Sequence, residues 1–193
     1  MTSIPPQPAD RRVQRTRRSL RDALISLLQD RSWDDIGVQD ICEHADVGRS
    51  TFYMHFQSKE QLLANGFSEL QAMLGVQAGT EGKKKSERLS FLCGLIDHVS
   101  DNRKLFRSVV GRRSSHVVQM RFKEMVLLLI TEDLAQHSGA GWQRDATAHY
   151  MAGALVELLG WWVEARKAIS HEEIEHYYRR LTLPAIAEKN LQV

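Results

Sequence analysis

The chain has 193 residues, of which 42% are hydrophobic and 26% charged, a composition typical of globular domains rather than disordered or fibrous ones. Its formal net charge of +2 does not by itself indicate a nucleic-acid partner. No uncharged apolar stretch approaches the ~18 residues that a membrane helix needs. Cys42 and Cys93 form no metal-ligand pattern and indicate a reducing compartment. We therefore expect a cytoplasmic protein without a membrane partner, a cofactor or a metal site.

The N-terminal part combines a polar arm with a group of arginines. Residues 1–10 are predicted to be disordered, and apolar residues at helical spacing predict a first helix over Thr16–Arg31. Such basic residues can neutralise DNA phosphates, although their charge alone is equally compatible with a solvated arm. The arginines, with no acidic residue among them, are Arg11, Arg12, Arg15, Arg17, Arg18 and Arg21.

Two short helices around a tight turn come next. Apolar residues at helical spacing predict a second helix over Val38–Ala45 and a third over Arg49–Phe56. Asp46-Val47-Gly48 between them predicts a turn, because aspartate tolerates the left-handed conformation that ends a helix. These are the proportions of a helix-turn-helix, whose second helix lies in the major groove of DNA.

The remainder of the chain is helical by the same criterion. A fourth helix begins at Ser58, which forms a capping box with Gln61, and Ala78–Lys85 is predicted to be a flexible linker. The fold is therefore predicted to be all-α, with about nine helices and no strand. The later predicted helices are Ser86–Ser100, Asn102–Val109, Ser115–His137, Trp142–Lys167 and Ser170–Leu183.

The third helix has one face suited to packing and one suited to DNA. With about 100° between successive residues, Phe52 and Phe56 share a buried stripe, and Ser50 and Met54 fall on the opposite side. A methionine there can contact a thymine methyl, and a serine hydroxyl can meet donor or acceptor edges of bases. Arg49 at the helix start can reach a guanine or a phosphate.

The segment from Trp33 to Leu63 resembles the DNA-binding signature of the tetracycline-repressor (TetR) family. The most specific part is the string FYMHFQSKE, which begins at Phe52. The resemblance implies a three-helix DNA-binding domain, over residues 11–67, and a helical domain over 68–193 that dimerises and often binds a small-molecule inducer. The residues expected to contact DNA bases or phosphates are Arg15, Arg18, Gln39, Arg49, Ser50, Thr51, Tyr53, Met54, His55 and Lys59.

Three positions depart from the family pattern. Gly37 and Gly48 stand where serine or threonine usually caps a helix, and Asp46 stands where glycine is usual in the turn. Replacing such a cap by glycine typically costs only a few tenths of a kcal/mol, so both helices are still expected. A phosphate contact through a hydroxyl is not expected at Gly37.

The C-terminal part predicts a dimer. Tyr150–Val163 is apolar nearly all round, with Glu157 as its one charge. A helix of this kind needs partners on every side, and we expect a second copy to supply one of them, rather than an unusually apolar monomer core. The predicted interface is an isologous four-helix bundle of Trp142–Lys167 and Ser170–Leu183. Its expected residues are Leu155, Leu158, Leu159, Trp161, Trp162, Tyr177, Tyr178 and Leu181.

A ligand pocket is expected among the helices of residues 86–160. Its occupant would be an inducer with an apolar part. Each candidate residue is also compatible with an ordinary core position. The candidates are Phe91, Leu95, His98, Phe106, Phe122, Met125, Leu129, His149 and Met151.

Together these patterns predict a homodimeric repressor that binds a roughly palindromic operator in double-stranded DNA and is released by a small-molecule inducer. Two alternatives stay open: activation instead of repression, and a DNA-binding protein of the same fold that senses no small molecule and organises the nucleoid or contacts another protein. An enzyme is not expected, because the eight histidines form no HExxH or Cys/His cluster and the chain has no GxSxG, P-loop or dinucleotide fingerprint.

Overall fold

A computed structural model describes residues 8–80, 88–112, 114–137 and 141–186. This part of the chain forms helices and contains no strand, so the predicted all-α fold with nine helices is confirmed there. Two short 3-10 turns lie at Trp33–Asp35 and Leu183–Ile186. The helices are α1 (Pro8–Leu28), α2 (Val38–Ala45), α3 (Arg49–His55), α4 (Lys59–Thr80), α5 (Phe91–Asp101), α6 (Arg103–Val110), α7 (His116–His137), α8 (Trp142–Glu164) and α9 (His171–Thr182).

Helix α1 is longer at its start than predicted. It begins at Pro8 instead of Thr16, which places the arginine group on a helix. The prediction of a disordered arm is therefore wrong for residues 8–10, and residues 1–7 lie outside the described part. Proline suits the first position of a helix because it has no N–H to leave unpaired, and arginine is a good helix former.

The predicted linker also begins later than expected. Helix α4 continues to Thr80 and so includes the first three residues of the Ala78–Lys85 segment. Residues 81–85 lie outside the described part. Contacts divide the chain into two compact units between Gly66 and Phe67.

The first unit is built on an apolar core between α1 and α2. Leu20 and Leu24 from α1 and Ile41 from α2 are buried there. Trp33 and Ile36, in the connection between the two helices, are also buried and act as anchors. Burying a side chain of this size contributes about 1.5–3 kcal/mol relative to exposure, so these residues stabilise the packing of α1 on α2.

In the second unit, α8 packs against α6 and α7, and α9 packs on α5. The end of α8 is held by α6: Arg103 donates to the carbonyl oxygen of Trp162, and Arg107 Nε donates to that of Val163 at 3.0 Å. The last carbonyls of a helix have no partner within it, so these bonds satisfy groups that would otherwise need water.

The start of α9 follows the sequence prediction. The Ser170 hydroxyl accepts from the Glu173 N–H at 3.2 Å, and the Glu173 carboxylate accepts from the Ser170 N–H at 2.8 Å. The predicted capping box is thus confirmed. In the described ranges, no helix is sufficiently long and apolar to cross a membrane.

Candidate DNA-binding surface and dimer face

The turn between α2 and α3 has the geometry that its sequence predicts. Asp46 adopts the left-handed conformation, with φ 51° and ψ 48°. The Val47 N–H donates to the carbonyl oxygen of Cys42 at 2.9 Å, which satisfies a carbonyl at the end of α2. The chain then enters α3 at Arg49, and the predicted helix-turn-helix is formed.

Helix α3 presents separate inner and outer faces. Phe52 is 0% exposed, and its ring centroid lies 6.0 Å from that of the buried Phe56. On the outer side Met54 is 73% exposed and Tyr53 is 51% exposed. Ser50 is exposed as well. The predicted rotation of the helix is therefore the one that the structure shows.

The remaining residues expected at DNA differ in their exposure. Arg49, Arg15 and Arg18 are exposed, and Thr51 and His55 are half-buried. Gln39 is exposed at the start of α2, where its side-chain amide donates to Glu43 Oε1 at 2.8 Å. A bond between two exposed side chains exchanges readily with another acceptor, so Gln39 keeps its capacity to contact a phosphate.

Lys59 lies in a different environment from the one predicted. Its Nζ donates to the carbonyl oxygens of Trp33, at 2.8 Å, and of Ile36, at 2.7 Å. The same atom lies over the Trp33 ring, 4.4 Å from the centroid. Two of its three N–H groups are therefore used inside the protein, which does not favour the predicted phosphate contact.

The start of α2 is held by an arrangement that the sequence interpretation missed. The carboxylate of Asp40 accepts from the Gly37 N–H at 2.7 Å and from Arg31 Nη1 at 2.8 Å. Arg31 also donates to the carbonyl oxygen of Asp35. The hydrogen bond from Arg31, and then that from the Gly37 N–H, lower the pKa of Asp40. An acidic residue three positions after a helix cap is the signal that could have identified this contact.

The predicted dimer residues separate into two sets. The structure places Leu155, Leu159, Trp162 and Tyr178 in the core of their own protomer, so they cannot form a face toward a second copy. Tyr178 donates its hydroxyl to the carbonyl oxygen of Met151 at 2.8 Å, and burial raises its pKa. The helices of one chain already cover this side of α8, which the sequence argument assigned to a partner.

The other predicted dimer residues point outward. Trp161 is 56% exposed and Leu181 is 55% exposed. Tyr177 is also exposed, and Leu158 is half-buried. Tyr150 is a further exposed aromatic residue of α8 that the prediction omitted. The apolar residues of α8 and α9 that can meet a second copy, here called the dimer face, are Tyr150, Leu158, Trp161, Tyr177 and Leu181.

The predicted pocket residues are mostly packed in the core of the second unit. Phe106 contacts Phe122, with ring centroids 5.6 Å apart, and His98 contacts Phe106 at 5.7 Å. Burial lowers the pKa of His98. The buried members of the predicted set are Phe91, Leu95, Phe106, Phe122, Met125, Leu129 and Met151.

His149 does not belong with these residues. Its side chain is exposed on α8, next to the exposed Tyr150, so the pocket prediction is wrong at this position. Successive residues of a helix differ by about 100° in direction, and the buried side of α8 includes Ala148 and Met151 but leaves His149 out.

Two sequence-family models match the chain. The model described as "Bacterial regulatory proteins, tetR family" matches residues 20–65. The model described as "Transcriptional regulator C-terminal region" matches residues 87–183. Together they cover both compact units.

Two named relatives are similar in sequence. The uncharacterized HTH-type transcriptional regulator YxbF of Bacillus subtilis is 25% identical over 164 residues, which cover 82% of this chain and 42% of the relative. The HTH-type dhaKLM operon transcriptional activator DhaS of Lactococcus lactis is 37% identical over 59 residues, covering 28% of this chain and 32% of the relative. Each match thus spans less than half the length of the relative.

Solved structures are similar over nearly the whole chain. A TetR transcriptional regulator from Streptococcus agalactiae has 26% identity and a TM-score of 0.66, covering 90% of this chain and 97% of the other. A TetR-family regulator from Syntrophomonas wolfei has 17% identity and a TM-score of 0.68, covering 90% and 95%, and supports the fold.

Proposed function

The chain belongs to the TetR family of bacterial transcription regulators, and from this premise we propose that it binds a roughly palindromic operator as a homodimer and represses transcription until a small-molecule inducer releases it. Members of this family are DNA-binding regulators rather than enzymes. The observation that carries the proposal is the outer face of α3, where Met54 and Ser50 are exposed on the side of the helix opposite the buried Phe52.

Base contacts come from the centre of this face. Met54 packs against a thymine methyl, Ser50 bonds to a base edge, and Arg49 binds guanine or phosphate. Contacts to the DNA backbone fix the register and come from the residues around them. These residues are Arg15, Arg18, Gln39, Thr51, Tyr53 and His55.

Homodimerisation is supported by the dimer face. Its exposed aromatic and aliphatic side chains are the types that anchor protein interfaces. A twofold interface through α8 and α9 gives each copy the same contacts. Two recognition helices then read half-sites about one turn of DNA apart, which requires an operator with matching symmetry.

Release by an inducer follows from linkage between the two units. A ligand can reduce operator affinity only by binding more tightly to a conformation that fits the operator less well. The relative DhaS is named as an activator. The position of the operator relative to the promoter therefore tests whether this protein represses.

A second candidate function is a DNA-binding regulator of the same fold without a small-molecule ligand, acting through nucleoid organisation or a protein partner. The observation that favours it is the close packing of Phe106 with Phe122 and His98, at the position where a pocket was expected. Many scattered sites in a binding map would support this candidate, and a few promoter sites would support the first.

The test is a genome-wide selection of DNA fragments by the purified protein, followed by binding measurements on the recovered operator. We expect Met54→Ala to change the preferred base at one position of each half-site, at a cost of about 1–3 kcal/mol for that base pair. Met120→Ala is the matched control, because Met120 is an exposed methionine of α7. A protein that recovers no fragment selectively, at any ionic strength, would contradict the proposal.

A further inference from the structure

The first half of α1 precedes the part of the chain that matches a family model. The helix begins at Pro8, whereas the model of the DNA-binding region begins its match at residue 20. Among the described side chains of α1, Leu20 is also the first that is buried. Residues 11–19 contain five arginines and no acidic residue. This segment, residues 11–19, is here called the basic extension.

The basic extension starts next to the end of the recognition helix. The guanidinium carbon of Arg17 lies 5.3 Å from the centroid of the Phe56 ring, and Phe56 caps the C-terminus of α3. Both residues belong to the first compact unit. With a rise of about 1.5 Å per residue, α1 continues for about 9 Å from Arg17 to Arg11. The arginines before Arg17 are therefore carried beyond the C-terminal end of α3.

The core of the first unit does not cover the basic extension. Val13 lies on the same side of α1 as the buried Leu20 and Leu24, which follow it by seven and eleven residues. Val13 is nevertheless 39% exposed, and Arg11 and Arg12 beside it are exposed as well. The helix thus leaves the core before it reaches Val13, and this part of α1 is open to an external partner.

The exposed arginines repel one another. Arg11, Arg15 and Arg18 follow at spacings of four and three residues, so they form a row along one face of α1. Like charges at such spacings destabilise a helix. In the described ranges, no hydrogen bond or ion pair engages the side chains of this row or of Arg12. A polyanion along the row would remove the repulsion, which favours such a partner.

We propose that the basic extension is a second DNA-binding element, in which Arg11 and Arg12 hold the phosphate backbone of double-stranded DNA whatever its base sequence. The inference rests on the proposed function, because it takes α3 to lie in the major groove. A helix in this groove lies between two phosphate strands, so a segment that continues from its end meets one of them. The guanidinium of arginine keeps its charge and donates two parallel hydrogen bonds to a phosphate. Both arginines are additional to the DNA contacts assigned above.

The test measures binding of the full-length chain to a fluorescent duplex of random sequence, so that no operator is needed. Anisotropy over a range of salt concentrations gives the slope of log K against log salt. Each phosphate contact contributes about 0.9 to this slope, so the double variant Arg11→Gln and Arg12→Gln should make it shallower by about 3.6 for two copies. Glutamine is nearly as good a helix former as arginine, so α1 is retained. The double variant Arg11→Lys and Arg12→Lys should keep the slope, because it keeps the charges.

The control is the double variant Arg166→Gln and Lys167→Gln, which removes the same charge from two exposed residues outside the first unit. An unchanged slope in the α1 glutamine variant, or an equal change in the control, would overturn the proposal. So would a glutamine variant that loses binding only to vesicles containing phosphatidylglycerol, because this result assigns the basic extension to a lipid surface. A chain that selects no operator but shows the expected change of slope contradicts the proposed function alone, so the two failures are distinct.

Discussion

The ammonium of Lys59 lies 4.4 Å from the centroid of the Trp33 ring and donates to the Trp33 carbonyl oxygen at 2.8 Å. The same atom donates to the carbonyl oxygen of Ile36 at 2.7 Å. The first residue of α4 is therefore tied to the connection between α1 and α2, across the base of the helix-turn-helix. We therefore expect Lys59 to stabilise the helix-turn-helix rather than to contact a phosphate.

Replacing Lys59 by methionine is expected to destabilise the first unit and to leave phosphate contacts unchanged. Methionine keeps an apolar stem over Trp33 but removes the Lys59 donor from the Ile36 carbonyl oxygen and one of the two donors from the Trp33 carbonyl oxygen, which keeps the Ile36 N–H. The free energy of unfolding should therefore fall by about 1–2 kcal/mol in urea titrations. Lys123→Met, at an exposed lysine of α7, is the control and should change nothing. If Lys59 instead bound a phosphate, its replacement would make the slope of log K against log salt shallower by about 1.8 for the two copies.

The acid stability of the protein should depend on Asp40. Its folded-state pKa lies below the ordinary value of 3.8, with the hydrogen bond from Arg31 as the largest cause. A lowered carboxyl pKa stabilises the folded state above the unfolded-state pKa, and this contribution is lost as the pH falls through the lowered folded-state pKa. Asp40→Asn should therefore be less stable than wild type at pH 6, and the difference should shrink below pH ~4.

Asp34→Asn is the control for this measurement, because Asp34 is an exposed acid of the same connection without an ion pair in the described structure. Thermal unfolding between acidic and neutral pH gives the comparison. A difference between Asp40→Asn and wild type that does not vary with pH would mean that the carboxylate acts only as a neutral acceptor.

Arg15 and Arg18 should set part of the salt dependence of operator binding. Both are exposed on α1, and no ion pair engages either in the part of the chain that the structure describes. If each contacts one phosphate in each half-site, the double alanine variant loses four contacts, and the slope of log K against log salt becomes shallower by about 3.6. The loss should be similar for all DNA sequences.

The control for the arginine variants is Arg121→Ala, since Arg121 is paired with Glu124 on α7. Fluorescence anisotropy over a range of salt concentrations measures the slope. An unchanged slope would assign the arginine group to a solvated basic helix, the alternative that its charge pattern leaves open.

Leu181 and Leu128 offer a matched test of the dimer face. They are 55% and 52% exposed, on α9 and α7 respectively, but only Leu181 belongs to the dimer face. Leu181→Glu is expected to give monomers at micromolar concentration in sedimentation, because a charge is buried without a partner in the interface. Leu128→Glu should remain dimeric. Dissociation by both substitutions, or by neither, would count against a twofold interface through α8 and α9.

Periodicity predicted the helices best where one face is strongly apolar and the ends carry clear signals. The bounds of Val38–Ala45 were predicted to the residue, because Gly37 and the Asp46 turn limit the helix at both ends. The faces of α3 follow from a rotation of 100° and two phenylalanines. A short amphipathic helix between defined ends leaves little freedom for another arrangement.

Contacts between residues distant in sequence could not be predicted from periodicity. The sequence does not show whether Lys59 contacts a phosphate or donates to the Trp33 carbonyl oxygen, because the same ammonium can do either. Arg31 and Asp40 are nine residues apart, and only the folded connection brings them together. The pocket and dimer predictions share a different difficulty. Large apolar residues occur on both sides of α8, and periodicity alone does not say which side the chain covers itself.

Trp161 and Trp162 point about 100° apart on α8. Trp161 is exposed, whereas Trp162 is buried and its indole N–H donates to the Ile169 carbonyl oxygen at 3.0 Å. Adding or deleting a single residue earlier in α8 would turn every later side chain by about 100° and exchange such neighbours. Insertions and deletions near α8 are therefore compatible with the fold only in the loops that flank the helix. Within α8, evolution can substitute residues but cannot change their number.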